Sequence, residues 1–327
     1  MAGRRFGTNW SWLRWLIESN LRQQPGFQRD FWLEEKIRSL GTGLYHRNYL
    51  FETSGKSLVL RIGKVERGLR TKRQMVTSLR KEAKTLRVLR SLDPPFAVPE
   101  FLCLVNDESG EIVGLIESSV SGIPLTLLVK GREPDEPLKI IARVAAEVHA
   151  LSKSEFSHLA NHADRQTHLI TRLNGLPGSL FEEFTEAAVA RDWILSQLPD
   201  NAPSTVLHGD LLPQNLFYDY SEKEQAAVID WECAQIGDPA YDLAIVTRGM
   251  RKPLGAPAGL HKFVEFYNEV GQHKISANAV MAHEILLHLN WLAEAAKARA
   301  MNRFGGHGPE HYATGLGGLL RRARANQ

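Results

Sequence analysis

Residues 206–235, VLHGDLLPQNLFYDYSEKEQAAVIDWECAQ, decide how the rest of the chain is read. A short apolar run, Val206-Leu207, delivers His208-Gly209-Asp210, and Asn215 follows five residues after Asp210. Two apolar segments, Leu216–Tyr218 and Ala226–Ile229, flank the polar stretch from Asp219 to Gln225, a pattern that predicts a β-hairpin. The second segment ends at Asp230. A hairpin brings its ends together, so Asp210, Asn215 and Asp230 are expected to converge.

The residue types suggest what such a place does. A carboxylate at Asp230 and an amide carbonyl at Asn215 suit Mg²⁺, a hard cation that keeps several waters and is held by one or two protein oxygens plus substrate phosphates. Asp210 is then the carboxylate left to accept a proton from a nucleophile. A base beside a phosphate-bound metal is the layout of phosphoryl transfer. Taken singly, Asp210 and Asn215 are ordinary turn residues, and His208 reads as a packed histidine holding the loop.

HGDLLPQN resembles the catalytic loop of the eukaryotic-kinase-like phosphotransferases, whose pattern H-R-D-L-x-x-x-N has the same Asp-to-Asn spacing. Gly209, the later IDWE at 229–232 and GDPAYDLA at 237–244 resemble the aminoglycoside phosphotransferase and choline kinase family instead. No A-P-E motif or long activation segment follows. The resemblance runs from about Gly41 to about Gly249 and implies a two-lobed, protein-kinase-like α+β fold. A small antiparallel-sheet lobe binding nucleotide (residues 1–118, with an N-terminal helix) would precede a larger, mainly helical lobe for catalysis and acceptor binding (residues 119–327).

Outward from the motif, the N-terminal part carries the nucleotide-site candidates. Gly41-Thr42-Gly43 heads a predicted hairpin (strands Tyr49–Thr53 and Ser57–Ile62), where glycine lets the backbone lie close over phosphates. In the resembled fold a basic residue on the third strand meets the ATP phosphates and pairs with a Glu on the next helix. Arg61 stands at that position where the pattern has Lys, and Glu82, the one acid in the basic helix predicted from Thr71 to Leu92, is the implied partner. Asp93-Pro94-Pro95 stops the helix. Strands over Val98–Val105 and Glu111–Glu117 lead to a hinge, where the resemblance places backbone groups of Ser118 to Val120 against adenine.

Before the sheet, Trp10, Leu13, Ile17 and Leu21 recur at helical spacing, which predicts an amphipathic helix packed on the protein. Segment 31–40 reads as a helix or a lead-in to a strand. After the hinge, helices are expected at 138–151, 179–190, 190–198, 260–270 and 277–300, a loop at 304–308 and a short basic helix end after it. The polar region 152–200 supplies a pool of acids for acceptor binding: Glu155, Asp164, Glu182, Glu183, Glu186 and Asp192. His283, Trp291 and Glu294 are candidates for the far wall of an acceptor site. Asp238 and Pro239 suit the cap and first position of a helix, and Asp242 resembles a position that braces the catalytic loop.

A chain of 327 residues with 43% apolar content supports a substantial core. No window approaches the 18 uninterrupted apolar residues that suggest a membrane span. Two cysteines without metal-ligand spacing fit a reducing, cytoplasmic setting. The net charge of +3 hides an asymmetry: residues 1–100 carry +11 and the remainder −8. The basic part favours a polyanion such as ATP and the acidic part a cationic co-substrate, unless both are simply solvated faces. No recognisable nucleic-acid module accompanies the basic stretch, and no nucleic-acid partner is expected.

The sequence therefore points to an ATP- and Mg²⁺-dependent kinase acting on a hydroxyl of a small molecule, whether an amino sugar, an amino alcohol, an amino acid or a sugar. Two alternatives stay open at this level. One is a catalytically weak nucleotide-binding regulator of the same fold; the other is a membrane- or nucleic-acid-associated protein using the Trp-rich N-terminus and basic helix.

Overall fold

The computed structural model describes residues 9–27, 32–34, 36–43, 45–65, 70–128, 135–220, 225–247, 258–301 and 307–325. The chain divides into two compact units, Met1–Ser121 with Ala227–Glu232, and Gly122–Ala226 with Cys233–Gln327. Most of segment 304–308 lies outside the described residues.

The first unit is a five-stranded antiparallel sheet covered by one helix on each face. Helix α1 (Trp10–Leu21) precedes β1 (Arg38–Thr42), β2 (His46–Thr53), β3 (Lys56–Gly63), helix α2 (Lys72–Leu92), β4 (Phe101–Asn106) and β5 (Ile112–Ser118). The sheet order is β1-β2-β3-β5-β4. Among the described residues of segment 31–40 there is no helix: Leu33 bridges to Thr53 and the chain enters β1 at Arg38.

Side chains alternate across a strand, so each face gets its own set. Leu58 and Leu60 join Phe51, Cys103, Val105 and Ile116 under the apolar stripe of α1, formed by Leu13, Leu16, Ile17 and Leu21. Each of those four helix residues is buried, stabilising the unit by about 1.5–3 kcal/mol apiece. Asn9 caps α1 by accepting the Trp12 N–H. Asn20 pins its far end like a strand partner, accepting the Asn106 N–H at 2.8 Å and donating to the Asn106 oxygen at 2.9 Å.

The opposite face meets α2. A reciprocal capping box between Thr71 and Gln74 starts that helix. Asp93, left-handed at φ +46°, ends it ahead of the two prolines. Met75 and Leu79 of α2 pack on Leu115 of β5. Arg61 lies on this second face, cross-strand from Asn48 on β2 and Leu115 on β5.

The second unit is mainly helical. It comprises β6 (Ile123–Pro124), α3 (Leu125–Leu128), α4 (Glu136–His149), α5 (Arg165–Asn174), α6 (Gly178–Glu183), α7 (Thr185–Ser196), β7 (Thr205–Leu207), β8 (Leu216–Tyr218), β9 (Ala226–Val228, which straddles the boundary), β10 (Gln235–Gly237), α8 (Ala240–Thr247), α9 (Ala258–Val270), α10 (Ala277–Ala300) and α11 (Pro309–Ala325). Strand β10 pairs antiparallel with β7 and β6 with β8. The turn between β8 and β9 is closed by Asp219 N–H to the Gln225 oxygen at 3.1 Å. Helix α4 packs on α9, and α10 on α8 and α11. Helix α5 and the 17-residue α11 exceed what the sequence pattern indicated.

The division places Ala227–Glu232, and with it Asp230, in the sheet unit. Ala97 bridges in parallel to Ala227, and the Val228 N–H bonds the Ala97 oxygen at 2.9 Å. Trp231, fully buried, stacks on Phe96 at 6.0 Å and donates Nε1–H to Val228. These contacts fix the segment from which Asp230 projects.

Candidate active site

The helical unit holds the loop from His208 to Asn215. Strand β7 ends at Leu207, and the carboxylate of Asp242 on α8 accepts the next two backbone N–H groups, from His208 and Gly209, each at 2.8 Å. Gly209 has φ +82°, and a Cβ there would sit 2.2 Å from the Cys233 oxygen. Only glycine satisfies both the backbone angle and the close approach. His208 is fully buried, and its Nδ1 accepts the Asp210 N–H at 3.2 Å.

Asn215 donates from Nδ2 to the Asp210 backbone oxygen at 2.9 Å and to Asp210 Oδ2 at 3.1 Å. Both partners are acceptors, so the amide nitrogen must face Asp210 and the carbonyl Oδ1 is turned away. A single short 3-10 turn, Pro213–Asn215, thus orients one carboxylate and presents one amide oxygen.

Behind this loop lies a relay of buried groups. His149 on α4 faces Asp242 with Nε2 at 3.3 Å and the Tyr267 hydroxyl with Nδ1 at 2.8 Å. The partners set the tautomer: Nε2–H donates to the carboxylate and Nδ1 accepts the tyrosine proton. Burial, with the nearby Asp242 charge, raises the Tyr267 hydroxyl above its ordinary pKa.

Asp238 is more than the helix cap its sequence suggests. Its Oδ1 accepts the Ala240 N–H, while Oδ2 binds Arg165 Nε at 2.9 Å and His283 Nε2 at 2.8 Å. Burial pushes this carboxyl up, but the His283 hydrogen bond and the charges of His283 and Arg165 outweigh it and hold the group well below the carboxylate range. His283 is therefore fully buried in the scaffold, which corrects its expected place on an acceptor wall. The sequence offered no signal for Arg165 as the other partner of Asp238, because it belongs to a helix the polar pattern concealed. From the acid pool, Asp164 caps α5 and Glu183 pairs with Arg299.

The sheet unit holds the remaining candidates. Arg61 is 4% exposed; its Nη1 donates to Glu82 Oε1 on α2, and its Nη2 donates to Asp230 Oδ1 at 2.5 Å. Asp230 is left-handed at φ +69°, a conformation that Asp tolerates better than most residues. Sequence reasoning missed the further neighbours of this group. Glu117 Oε1 lies 3.8 Å from Arg61 Nη1. Glu232 accepts from Arg70 and from Ser78, each at 3.2 Å. His46 lies 3.3 Å from Arg61 and 3.2 Å from Arg70, one ring nitrogen toward each.

Burial first, then the Arg61 charge, lowers the His46 pKa to about 3. The ring is neutral, so it accepts from only one of the two guanidiniums. Burial raises Glu82 strongly and Glu117 to about 7, in both cases against the pull of Arg61. Burial and the Asp230 charge raise Glu232. Four carboxyl groups (Glu82, Glu117, Asp230, Glu232) thus surround two guanidiniums, an excess of two negative charges in one buried cluster when all four are ionised.

Gly41 on β1 has φ +111°, with open space where a side chain would be; the Gly43 oxygen accepts from Lys64. Ser118 ends β5 with its N–H on the Glu100 oxygen at 2.9 Å, and the Ser119 N–H binds Ser57. Val120 follows, half-buried. The candidate residues thus form two sets, each ordered within its own unit: Asp210 with Asn215, and Arg61 with Glu82 and Asp230.

Comparison with known proteins supplies the family. A model of the phosphotransferase enzyme family matches residues 36–258. A curated relative, acyl-CoA dehydrogenase family member 11 of Pongo abelii, is 25% identical over 173 residues, 50% of this chain and 22% of that protein. The chain thus matches only about a fifth of that relative's length. Among solved structures, the GDP complex of wild-type aminoglycoside 2'-phosphotransferase-IIIa superposes with a TM-score of 0.66 at 17% identity, covering 97% of this chain and 99% of that one. A choline/ethanolamine kinase family protein from Mesorhizobium loti gives 0.58 at 18% identity, over 94% and 92%. At such identities the structural likeness is one of fold. The family match extends over more than half of the chain and takes in both the HGDLLPQN loop and the Arg61 strand: this chain belongs to the phosphotransferase enzyme family.

Proposed function

We propose that this chain transfers the γ-phosphate of ATP to a hydroxyl of a small molecule. The observation that carries the proposal is the Asp210–Asn215 pair on a loop locked by Asp242. The Asp210 carboxylate, oriented by Asn215, is assigned to receive the acceptor's hydroxyl proton as the oxygen attacks the γ-phosphorus and ADP leaves. Arg61, clamped by Glu82, steadies the phosphates; Gly41 and Gly43 let the backbone lie close over them. At the hinge, backbone groups from Ser118 to Val120 are assigned to the adenine edge, although the Ser118 N–H is itself engaged by the Glu100 oxygen.

The cluster chemistry fits a divalent cation. Its donors are hard oxygens, which suit Mg²⁺. Asp230 and the Asn215 carbonyl are the residues assigned to hold it. When bound, Mg²⁺ neutralises charge on the phosphates.

The acceptor is assigned as a small molecule, with the acidic second part of the chain favouring a cationic one. No described helix is long and apolar enough to cross a membrane. Sparse cysteine use, two residues without metal-ligand spacing, supports a reducing, cytoplasmic setting.

The test is Mg²⁺-dependent ADP release from ATP, with GDP release from GTP in parallel. The panel of acceptors comprises aminoglycosides, amino alcohols, hydroxy amino acids and sugars. Hydroxylated acyl-CoA thioesters join it because of the acyl-CoA dehydrogenase family relative. Acceptor-dependent turnover that disappears in Asp210→Asn supports the proposal. Nucleotide binding without turnover on any acceptor would leave the regulator reading in its place.

A further inference from the structure

Glu117 has no counterpart in the Arg61–Glu82 pairing that the sequence pattern describes. It lies on β5, in Ile112–Ser118, where every other side chain but the terminal serine is apolar or absent. It is 4% exposed. Burying a carboxylate costs several kcal/mol unless a cation and hydrogen bonds compensate, so folding alone gives no reason for it.

The strand register explains whom it serves. Arg61 pairs cross-strand with Leu115, and Glu117 is two residues further along β5, so Glu117 shares the face of Arg61. A diagonal pair of long side chains reaches across that distance. Nη1 of Arg61 accordingly faces two carboxylates, Glu82 from the helix above and Glu117 from the sheet below, while Nη2 is drawn to Asp230.

Three buried atoms of this group have no hydrogen-bond partner among the described residues: Arg61 Nε, Glu82 Oε2 and Glu117 Oε2. One donor and two acceptors are thus left over around one guanidinium. A small shift of the guanidinium away from Asp230 would let it satisfy both glutamates at once. Lysine's point charge needs one such partner; the planar fork of arginine has five donors and can engage two carboxylates in fixed directions.

We propose that Glu117 is a positioning residue of the nucleotide site, the second jaw of a clamp that keeps the Arg61 guanidinium aligned on the phosphates when Asp230 turns to a cation. The inference rests on the nucleotide-site reading above. Glu117 touches no reacting atom; it acts through Arg61, and its requirement is tied to the arginine.

The experiment is a double-mutant cycle of Glu117→Gln and Arg61→Lys in the full chain, read by direct ATP binding with and without Mg²⁺ and by KM and kcat. Glu117→Gln keeps the shape and removes the charge, and Glu117→Leu serves as a second variant if the amide misfolds. With Arg61 present, ATP affinity falls about five- to tenfold in Mg²⁺, KM rises in step and saturated kcat changes less than about twofold. In the Arg61→Lys background the same substitution changes affinity less than about twofold, and Glu117→Asp restores part of the loss only beside Arg61. An unchanged affinity in Glu117→Gln, or an equal loss in both backgrounds, overturns the clamp while leaving the kinase reading intact. If the unsubstituted protein binds no nucleotide, the site reading itself fails, and the clamp with it.

Discussion

Asn215 turns its amide nitrogen onto Asp210, reaching the backbone oxygen at 2.9 Å and Oδ2 at 3.1 Å. The amide therefore orients the carboxylate while its own oxygen points elsewhere. Replacing Asn215 by Ala removes both functions. kcat is expected to fall about 10²-fold or more, in the range seen for losing a positioned catalytic group. The Mg²⁺ concentration for half-maximal rate should rise, because one oxygen donor is gone. Rate measured against Mg²⁺ separates the two effects, and an unchanged Mg²⁺ dependence would remove Asn215 from the metal assignment.

Arg61 gives a second prediction. Arg61→Lys keeps the charge and loses the fork, so one charge-assisted hydrogen bond of roughly 1.5–3 kcal/mol is forfeited. That corresponds to a rise in nucleotide KM of about tenfold or more. Initial rates at saturating acceptor measure it. An Arg61→Lys protein with wild-type KM would show that the guanidinium does not touch the nucleotide.

The brace behind the loop predicts a stability effect. Asp242 is fully buried and accepts two backbone N–H groups. Asp242→Asn places an amide nitrogen against one of these donors and should destabilise the protein by about 3 kcal/mol. Gly209→Ala is strained by φ +82° and by contact with the Cys233 oxygen, and costs about 1–3 kcal/mol from the backbone alone. Urea denaturation measures both. Activity in the folded fraction should fall as well, since the loop that carries Asp210 is displaced.

His168 makes the protein acid-sensitive. Burial, with the His283 charge, depresses its pKa from 6.5 to about 2, and His162 and Arg172 lower it further against Asp238. Between those values the unfolded chain binds a proton that the folded chain does not, so this residue's contribution to stability is present above 6.5 and lost as pH falls below it. Comparison with His168→Asn cancels the other titrating groups. The stability gap between the two should narrow by about 2 kcal/mol from about pH 7 to about pH 5, at roughly 1.4 kcal/mol per unit. A gap independent of pH would mean that His168 titrates alike in the folded and unfolded states, so that burial does not lower its pKa.

The sequence was most informative where chemistry and spacing coincide. HGDLLPQN and IDWE are short segments whose residues act close to where they stand, so fold class and family could be read from Asp210, Asn215, Asp230 and their surroundings. The apolar periods of α1, α2 and α4 were equally plain, because apolar residues recur along the buried side of each. Contacts made by buried charge were harder to read. Glu117 sits in an apolar strand, and its isolation there was the available signal. Arg165 and His283 meet Asp238 from helices distant in sequence, and α5 itself was hidden because its buried side carries Arg165 and His168 beside Leu169 and Leu173. The segment carrying Asp230 joined the sheet through Trp231 and Phe96, a stacking that no periodicity announces.

The most direct test of the account is transfer of labelled γ-phosphate from ATP to an acceptor by wild-type protein and by Asp210→Asn, with ATP affinity measured on the same samples. The account predicts that label reaches the acceptor in the wild type and that the rate falls about 10²–10⁴-fold in the variant, while the ATP dissociation constant stays within about threefold. Transfer by Asp210→Asn at the wild-type rate would contradict it, because the carboxylate on which the site is built would then do no chemistry.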